Sequence, residues 1–373
     1  MQKKMIVLLI ISGITIAILG ALLLINRVPQ MGAKSKGASL EKIVNSQNFS
    51  NGAFHNIEET VLSFQNGTMR EVLKERFLDK IPRSPEFPLP SINDKHKKEF
   101  NSNSTDIKIR WLGHSTIYIE VDNTKILIDP VLSERASPFS FMGPKAFEGS
   151  IPLKARDFTD IDIIILSHDH YDHMDYKTIK ALHKKTKKFM VPLGLAAHLE
   201  RWGVPNEKIV ELDWWEETTY FNKIKLTATP GRHFSGRGIK NRNTTLWCSW
   251  VIELSGHKLF FCGDSGYTKS FKEIGEKFGP FDLTMMEAGQ FSQYWPQIHM
   301  MPEETVQAHI DLKGKILLPI HWAKFNLSLH SWTEPIQRVI QEANNKNVKV
   351  ATPKIGEVFI LQNKVPTDVW WMN

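Results

Sequence analysis

"SHDHYDHMD", residues 167–175, places three histidines and three aspartates directly after the apolar run "IDIIIL" of residues 161–166. A short run of bulky aliphatic residues is typical of a strand that is buried on both faces. Strand ends are where α/β folds hold functional side chains, because the rigid sheet fixes the backbone there. Burying so many ionisable groups is costly unless a bound cation offsets their charge. The stretch therefore predicts a metal site at the end of a buried strand.

Three further predicted strands end in the same kinds of residue. The run "NKIKLTATP" leads into His233, "HKLFFCG" leads into Asp264, and "KILLPI" leads into His321. A solvated loop would explain a single histidine, but it does not explain metal-ligating side chains at four strand ends. We therefore expect these four segments to meet at one site.

The spacing within the histidine-rich stretch indicates two metal positions. His168 and His170 alternate, so both imidazoles can reach one cation, whereas Asp172 and His173 follow on the turn and can reach a second. Imidazole and carboxylate are ligands that suit Zn²⁺, Mn²⁺ or Fe²⁺. Asp264 can bridge the two ions, because each oxygen of a carboxylate can face a different cation.

Many short strand-like runs follow residue 107, and helical stretches lie between some of them. The predicted helices are "DYKTIKALHKK", "GLAAHLERWG", "PEETVQAHIDL" and "TEPIQRVIQEANN". This alternation favours sheets covered by helices, and we assign it to one domain over residues 105–373. Cys248 and Cys262 lie in apolar runs, so we expect two buried free thiols rather than a disulfide or a cysteine metal site.

The net charge of +7 does not indicate a nucleic-acid-binding protein. Residues 1–110 contain 16 Lys and Arg against 10 Asp and Glu, whereas residues 111–373 contain 31 against 30. The basic excess lies outside the part that holds the motifs, so we expect no nucleic-acid partner.

The N-terminal region has a different character. Residues 5–25, "MIVLLIISGITIAILGALLLI", are uncharged and reach the roughly 20 residues that a membrane-spanning helix needs. A cleaved signal peptide is the alternative, but its apolar region is usually about 7–15 residues long. We predict a single-pass anchor within residues 1–30, with the catalytic domain outside the cytoplasm. Residues 31–104 are predicted to form a flexible linker, "MGAKSKGAS", and an N-terminal extension that packs on the core.

The motifs "HDHYDH", "GRH", "GDSG" and "PIHW" resemble those of the metallo-β-lactamase superfamily. Within it, "WLGHSTIYIE", "ILIDPVLSERASP" and "HMMPEETVQAH" are similar to the branch that contains the N-acylphosphatidylethanolamine-hydrolysing phospholipase D. The resemblance covers about residues 105–361. It implies an α/β fold, an αββα sandwich of two mixed β-sheets flanked by helices, preceded here by the N-terminal transmembrane helix.

The resemblance also implies the metal ligands of two ions. It assigns His168, His170 and His233 to the first metal, Asp172, His173 and His321 to the second, and Asp264 to both. Two Zn²⁺ ions are the family default, and some relatives use Mn²⁺ or Fe²⁺.

Catalysis would follow from these metals. A bound water becomes hydroxide near neutral pH because its pKa falls from 15.7 to about 7, and a hydroxide between two cations attacks phosphorus or a carbonyl carbon. Asp172 and Asp264 would hold that centre. His299, in "QIHMMPEE", resembles a residue near the scissile phosphate that binds substrate or protonates the leaving group. Asp129 and His114 are expected to orient metal ligands, with solvation of a strand end as the alternative.

Four aromatic residues in loop-like stretches are predicted to contact the substrate. Trp214 and Trp215 lie in "LDWWEE", and Tyr294 and Trp295 lie in "QFSQYWPQ". Such side chains often pack in a core, but beside a metal site they would admit an acyl chain.

These residues favour a phosphodiesterase that acts on membrane phospholipids such as N-acylphosphatidylethanolamine. A lactonase or small phosphoester hydrolase of the ascorbate-6-phosphate lactonase type is the main alternative. A non-catalytic, membrane-anchored binding protein on the same fold is the third, although every ligand position is occupied. The expected partners are the phospholipid substrate, the bilayer and a second copy of the chain in a homodimer.

Overall fold

The computed structural model describes residues 5, 12, 13, 15, 28–93, 106–221, 223–238 and 241–372. The predicted membrane anchor, residues 5–25, lies almost entirely outside these residues. None of the helices formed by the described residues is long and apolar enough to span a bilayer.

Short strands dominate the described part of the chain, as its many aliphatic runs predict. The strands are β1 (Phe49–Ser50), β2 (Ala53–Phe54), β3 (Lys108–Trp111), β4 (Ile117–Val121), β5 (Thr124–Ile128), β6 (Ile161–Ile165), β7 (Thr186–Pro192), β8 (Ile209–Leu212), β9 (Glu217–Tyr220), β10 (Ile224–Thr229), β11 (Ser249–Leu254), β12 (His257–Phe261), β13 (Leu283–Glu287), β14 (Leu317–Ile320) and β15 (Val358–Ile360). The α-helices are α1 (Gly37–Asn45), α2 (Met69–Leu78), α3 (Tyr176–Leu182), α4 (Ala196–Arg201), α5 (Ser270–Lys277), α6 (Pro302–Asp311) and α7 (Glu334–Asn345).

The first sheet has seven strands in the order β15-β3-β4-β5-β6-β7-β8. Strands β15 to β5 pair antiparallel, whereas β5 to β8 run parallel. In β6, Ile163 and Ile165 pack between the sheets, while Ile164 faces the outer layer. An unbroken isoleucine run fits a strand covered on both faces, because neither face meets water.

The second sheet has six strands in the order β14-β13-β12-β11-β10-β9. Strands β12 to β14 run parallel, and β9 to β12 pair antiparallel. Each sheet therefore combines an antiparallel meander with a group of parallel strands, so the prediction of two mixed sheets is confirmed.

Apolar side chains fill the space between the two sheets. Trp111 and Ile119 from the first sheet and Trp250 and Phe261 from the second belong to one buried cluster. Helices α3 and α4 cover the outer face of the first sheet, and α5, α6 and α7 cover the outer face of the second. The predicted αββα sandwich is confirmed.

The four helices predicted after residue 107 are present as α3, α4, α6 and α7, but α5 was not predicted. It is short, and Gly275 interrupts its interior, which weakens the helical signal. Phe271 and Ile274 bury its apolar face against the second sheet. Gly275 is required there by contact, because a Cβ atom would lie 2.1 Å from the carbonyl oxygen of Asp311 at the end of α6.

Residues 28–93 lie against the sandwich. The carbonyl of Pro29 accepts a hydrogen bond from Nε1 of Trp202 at 2.7 Å, and the carbonyl of Gln30 accepts one from Nε of Arg237 at 2.7 Å. The prediction of a flexible linker at "MGAKSKGAS" is wrong for its last three residues, because α1 begins at Gly37. The predicted domain boundaries otherwise stay predictions.

Candidate metal centre and active site

Four strand ends deliver predicted metal ligands to one place. His168 follows β6, His233 follows β10, Asp264 follows β12, and His321 follows β14. These strands come from both sheets, so the site lies where the carboxyl-terminal ends of strands from the two sheets come together. Only the tertiary fold brings together residues that are so far apart in sequence.

The turn after β6 presents the remaining predicted ligands. The amides of His173 and Met174 donate to the carbonyl of His170 at 3.1 and 2.8 Å, which curls the chain. Asp169 points away from the predicted ligands, and its carboxylate accepts a hydrogen bond from the amide of Gly236 at 2.7 Å. Asp169 therefore anchors the turn and is not one of the residues that face the site.

The first group of ligand atoms lies around Oδ2 of Asp264. Nε2 of His168 is 3.8 Å from this oxygen, and Nε2 of His233 is 3.7 Å from it. Nδ1 of His170 lies 2.9 Å from Nε2 of His168 and 3.3 Å from Nε2 of His233. Three imidazole nitrogens and one carboxylate oxygen therefore converge, as the sequence predicts for the first metal.

The second group lies around the other oxygen of the same carboxylate. Oδ1 of Asp264 is 3.1 Å from Nε2 of His173 and 3.1 Å from Nε2 of His321. Oδ2 of Asp172 is 3.4 Å from Nε2 of His321 and 3.7 Å from Nε2 of His173. Asp264 thus faces the first group with one oxygen and the second group with the other, which is the geometry of a bridging ligand.

The donor atoms themselves fit a pair of cations. Oδ1 of Asp264, Nε2 of His173 and Nε2 of His321 are buried close to one another, but none of them forms a well-aligned hydrogen bond with a described residue. Unsatisfied buried polar atoms are costly, and a metal ion satisfies them. Nitrogen and carboxylate oxygen together suit Zn²⁺ and the similar first-row divalent ions. The identity of the metal stays a prediction.

Burial sets the protonation state of the first group. It lowers the pKa of His168, His170 and His233 below the ordinary value for histidine, and the neighbouring imidazoles lower it further for His168. These side chains are therefore neutral at physiological pH. A neutral imidazole offers a nitrogen lone pair, which is the form that binds a metal.

Opposite charges dominate the second group. Burial opposes the charged form of His173 and His321, but Asp264 and Asp172 outweigh it, raising the pKa of His173 well above its ordinary value and that of His321 to about 9. Burial would likewise raise the pKa of Asp264, but His173 and His321 hold it well below the ordinary value. The site favours positive charge at this position, so a cation that binds here replaces protons.

Asp129 and His114 lie where the sequence analysis expects them. Oδ2 of Asp129 is 2.7 Å from Nδ1 of His173, and Nε2 of His114 is 2.9 Å from Oδ2 of Asp172. Burial lowers the pKa of His114 to about 3, so its neutral ring donates the Nε2 proton to the carboxylate. With Asp172, His173 and His321, His114 also forms a group whose ligand atoms lie within 4.8 Å of one another.

The backbones of His114 and His321 are tied together. The amide of His321 donates to the carbonyl of His114 at 2.9 Å, and that carbonyl also accepts from Nε1 of Trp111 at 2.7 Å. Both histidines have a positive φ, 54° for His114 and 69° for His321. Non-glycine residues adopt this conformation at a cost that the surrounding structure must offset, and they concentrate at functional sites.

Glu287, at the end of β13, is a site residue that the sequence analysis missed. It is fully buried, its Oε1 accepts the amide of Met300 at 2.6 Å, and its Oε2 lies 3.4 Å from Nδ1 of His299 and 3.6 Å from Nδ1 of His321. It can therefore orient both rings. The signal in the sequence is its position, since the predicted strand "LTMME" also ends in a titratable residue.

The two groups open into a pocket of about 160 Å³. Its lining includes metal-binding candidates and His299, together with the apolar side chains of Phe234, Trp295, Ile298 and Leu327. The ring of His299 lies 5.1 Å from that of His233 and 5.4 Å from that of His321, measured between centroids. His299 therefore stands beside the predicted ligands and faces the space that a substrate would enter.

Three of the four predicted aromatic contacts lie elsewhere. Trp214 is buried between the sheets, where Nε1 donates to the carbonyl of Trp247 at 2.6 Å. Trp215 packs beside the same core and lies under the ammonium group of Lys277, 4.8 Å from the ring centroid. Tyr294 is also buried, and its hydroxyl donates to Glu75 of α2. The predicted substrate contacts of Trp214, Trp215 and Tyr294 are therefore replaced by packing contacts.

Trp295 alone among these four lines the pocket. Its Nε1 donates to the carbonyl of Gln290 at 2.7 Å, and its ring lies 6.3 Å from that of Phe64, measured between centroids. The hydrogen bond fixes the indole as part of the wall. Its contact with a substrate stays a prediction.

Comparison with known proteins agrees with this geometry. The family described as "Beta-lactamase superfamily domain" matches residues 124–322. An uncharacterized protein of Mycobacterium tuberculosis is 38% identical over 331 residues, which cover 87% of each chain. N-acyl-phosphatidylethanolamine-hydrolyzing phospholipase D 1 of Caenorhabditis elegans is 31% identical over 265 residues, 67% of this chain and 74% of that protein.

A solved structure supports the fold independently. The metallo hydrolase Igni18 of Ignicoccus hospitalis superposes with a TM-score of 0.53 at 19% sequence identity. The match covers 70% of this chain and 100% of that one. At this identity the likeness supports the architecture and does not extend to the substrate.

Proposed function

This chain belongs to the metallo-β-lactamase superfamily of metal-dependent hydrolases, and we propose that it is a phospholipase D-type phosphodiesterase acting on membrane phospholipids such as N-acylphosphatidylethanolamine. The observation that carries the proposal is the position of Asp264, whose two oxygens face two separate groups of ligand atoms beside an apolar pocket. Such a site suits hydrolysis of a phosphodiester that carries an apolar chain. The similarity to the nematode phospholipase D supports the same substrate class.

Seven side chains would hold two divalent cations, which we propose to be zinc. His168, His170 and His233 would hold the first, Asp172, His173 and His321 would hold the second, and Asp264 would contact both. When bound, such ions supply a nucleophile derived from water at neutral pH and offset the negative charge that develops on oxygen. Mn²⁺ and Fe²⁺ remain the alternatives to be distinguished by metal analysis.

The protein's own residues would orient the reaction. The carboxylates of Asp172 and Asp264 lie on the side of the pocket that holds both groups, where they would hold the cations that face the substrate phosphate. His299 has Nδ1 directed at Glu287, which leaves Nε2 for the substrate. Hydrolysis adds hydroxide to phosphorus and a proton to the departing oxygen, and Nε2 of His299 would deliver that proton.

The apolar wall would select for a lipid. Phe234, Trp295, Ile298 and Leu327 line the pocket beside the ligand groups. Each methylene that such a wall removes from water contributes about 0.8 kcal/mol. Covering four methylenes would therefore favour a long-chain substrate by roughly 3 kcal/mol, which is about a hundredfold in rate or affinity.

A comparison of three substrates tests the proposal. We expect cleavage of a long-chain phospholipid in mixed micelles to exceed that of a soluble aryl phosphodiester, and Trp295→Ala to lower the first far more than the second. Trp215→Ala is the matched control, because Trp215 packs away from the pocket. Equal losses on both phosphodiesters would point to packing, and lactone opening without phospholipid cleavage would assign the chain to the lactonases.

We also propose that residues 5–25 anchor the chain in the membrane, with the catalytic domain outside the cytoplasm. The length and apolar character of this segment support the anchor. Because Pro29 and Gln30 are bonded to the core, the truncation that tests it should remove residues 1–27 only. We expect a folded hydrolase that separates from membranes more readily than the full chain, and accessibility to a protease added outside intact cells should report the orientation.

A further inference from the structure

Helix α2 carries an apolar stripe that nothing in the described part of the chain covers. Met69, Leu73 and Phe77 recur every four residues, so they lie along one side of the helix. They are 55%, 47% and 76% exposed, and Leu78, the last residue of the helix, is 69% exposed. A helix on the surface of a soluble domain normally turns such a stripe towards the core.

The polar side of α2 faces the protein instead. Nη1 of Arg76 donates to Oδ1 of Asn326 at 2.6 Å and to the carbonyl of Ser328 at 2.9 Å. On the same helix, the carboxylate of Glu75 accepts a hydrogen bond from the hydroxyl of Tyr294. These polar contacts therefore fix the helix with its apolar stripe facing outward. The stripe is not the partly exposed edge of a face that packs on the core.

The stripe stands next to the candidate active site. Tyr294 precedes Trp295, which lines the metal pocket, and the amide of Gln65 donates to the carbonyl of Tyr294 at 2.8 Å. On the other side, Arg76 holds the segment that contains Leu327, which also lines the pocket. Helix α2 is thus attached to two parts of the pocket wall.

A second apolar protrusion adjoins the same segment. Phe141 is 76% exposed and Met142 is 52% exposed, and the ring of Phe141 stacks on that of Phe139 at 5.5 Å between centroids. The loop that carries them is held at its base by a small apolar cluster. The cluster contains Val131, Ala136, Ala146, Phe325 and Leu327. The helix and the loop that carry the two protrusions are therefore both attached to residues 325–328.

The exposed charges favour a lipid surface over a second copy of the chain. Arg70 and Lys74 follow Met69 and Leu73 by one residue, so exposed cations flank the stripe. The exposed acidic side chain of the helix, Glu71, is engaged at the helix N-terminus, where it accepts hydrogen bonds from the amide and hydroxyl of Thr68. A symmetric dimer that buried this face would bring the same cations of two copies together, which is unfavourable. Anionic headgroups would attract them, while the apolar side chains enter the region below.

We propose that the stripe of α2 (Met69, Leu73 and Phe77) and the loop of residues 139–142 form a lipid-docking surface that seats the pocket against an anionic membrane. The surface acts in addition to the predicted anchor of residues 5–25. It rests on the proposed function only for the identity of the substrate, because lipid contact is measured without turnover.

Site-specific fluorescence tests the contact with the full-length chain. Cys248 and Cys262 are buried, so a cysteine introduced as Leu73→Cys or Phe77→Cys can be labelled selectively with an environment-sensitive dye. In vesicles of phosphatidylcholine and phosphatidylglycerol that contain spin-labelled lipid, we expect quenching at least threefold stronger at these positions than at Asn344→Cys. Asn344 is an exposed position of α7 without this stripe. Equal quenching at all three positions would overturn the proposal.

Introducing negative charge into the stripe tests whether lipid docking supports hydrolysis. The double variant Leu73→Glu, Phe77→Glu should lower hydrolysis of vesicle-embedded phospholipid at least tenfold and leave a soluble aryl phosphodiester unaffected, while Leu73→Met, Phe77→Leu should match the wild type. If Leu73→Cys and Phe77→Cys are quenched no more than Asn344→Cys, and the double variant dissociates a dimer that the wild type forms in light scattering, the face belongs to a second copy and lipid docking is refuted. If quenching holds but no phospholipid is cleaved, docking stands and the proposed reaction fails.

Discussion

The carboxylate of Asp129 places its Oδ2 atom 2.7 Å from Nδ1 of His173. The same carboxylate accepts the amide of Ser167 at 2.7 Å and its hydroxyl at 2.5 Å, and that hydroxyl lies 2.9 Å from Nδ1 of His168. One buried carboxylate therefore orients one imidazole of each ligand group, directly for His173 and through Ser167 for His168. Fixing these rings in advance reduces the cost of binding a metal.

Replacing Asp129 by asparagine should weaken both metal positions. The amide oxygen can accept fewer of the three hydrogen bonds, and its NH₂ group would face the Ser167 amide or the His173 ring. Loss of such an outer contact typically lowers metal affinity about 10- to 100-fold. Competition with a chromophoric chelator measures this affinity. Ser167→Ala is the control, and it should weaken chiefly the position that His168 serves; an unchanged affinity in Asp129→Asn would contradict the orienting role.

Removing the bridge should affect both ions at once. We expect purified wild-type protein to hold close to two transition-metal ions per chain and Asp264→Ala to hold less than one, because both oxygens of Asp264 face ligand groups. Elemental analysis measures the content. His233→Ala is the control, since it should empty one position preferentially. A folded wild-type protein without metal would rule out the proposed centre.

Gly289 should tolerate no side chain. A Cβ atom there would lie 1.7 Å from the carbonyl oxygen of His321, so the backbone that carries this ligand has to move. We expect Gly289→Ala to lower the free energy of unfolding by about 1–3 kcal/mol, typical of overpacking, and to reduce metal content. Gly231→Ala is the matched control near the same site, because the nearest atoms to its added Cβ are at 3.5 Å. Denaturant titrations of both variants would reveal equal stability if the contact were harmless.

His309 should make stability depend on acid pH away from the metal centre. It is buried on α6, where Nδ1 lies 2.6 Å from Oγ1 of Thr284, and burial lowers its pKa from 6.5 to about 4. The unfolded chain takes up this proton at higher pH than the folded chain does. Neutral His309 is therefore compatible with the folded state above pH 6.5. The free energy of unfolding falls as the pH decreases from 6.5 towards 4, because the unfolded chain binds the proton first.

At about 1.36 kcal/mol per pKa unit, this loss amounts to roughly 3 kcal/mol. His309→Gln keeps a hydrogen-bonding side chain but does not titrate, so its unfolding free energy should fall less steeply between pH 6.5 and 4. Urea titrations across this range measure the difference between the two proteins. Parallel pH profiles would contradict the assignment.

Local sequence patterns were sufficient for the parts of the molecule that depend on neighbouring residues. The aliphatic run of residues 163–166 indicates a doubly buried strand because no polar residue interrupts it. The spacing of His168, His170, Asp172 and His173 limits which cation each side chain can reach. Strands ending in His233, Asp264 and His321 predicted convergence, since functional groups collect at strand ends. The αββα sandwich followed from the resemblance of these motifs to a family.

Contacts between distant segments were decided by the tertiary structure. Trp214 and Trp295 both lie in aromatic loop-like stretches, but the first is buried against Trp247 and the second lines the pocket. Glu287 becomes a site residue only because β13 lies between β12 and β14. The outward stripe of α2 depends on Arg76 reaching Asn326, 250 residues away. A sequence pattern states that a side chain is apolar or ionisable, and packing between segments far apart in the chain decides what that side chain touches.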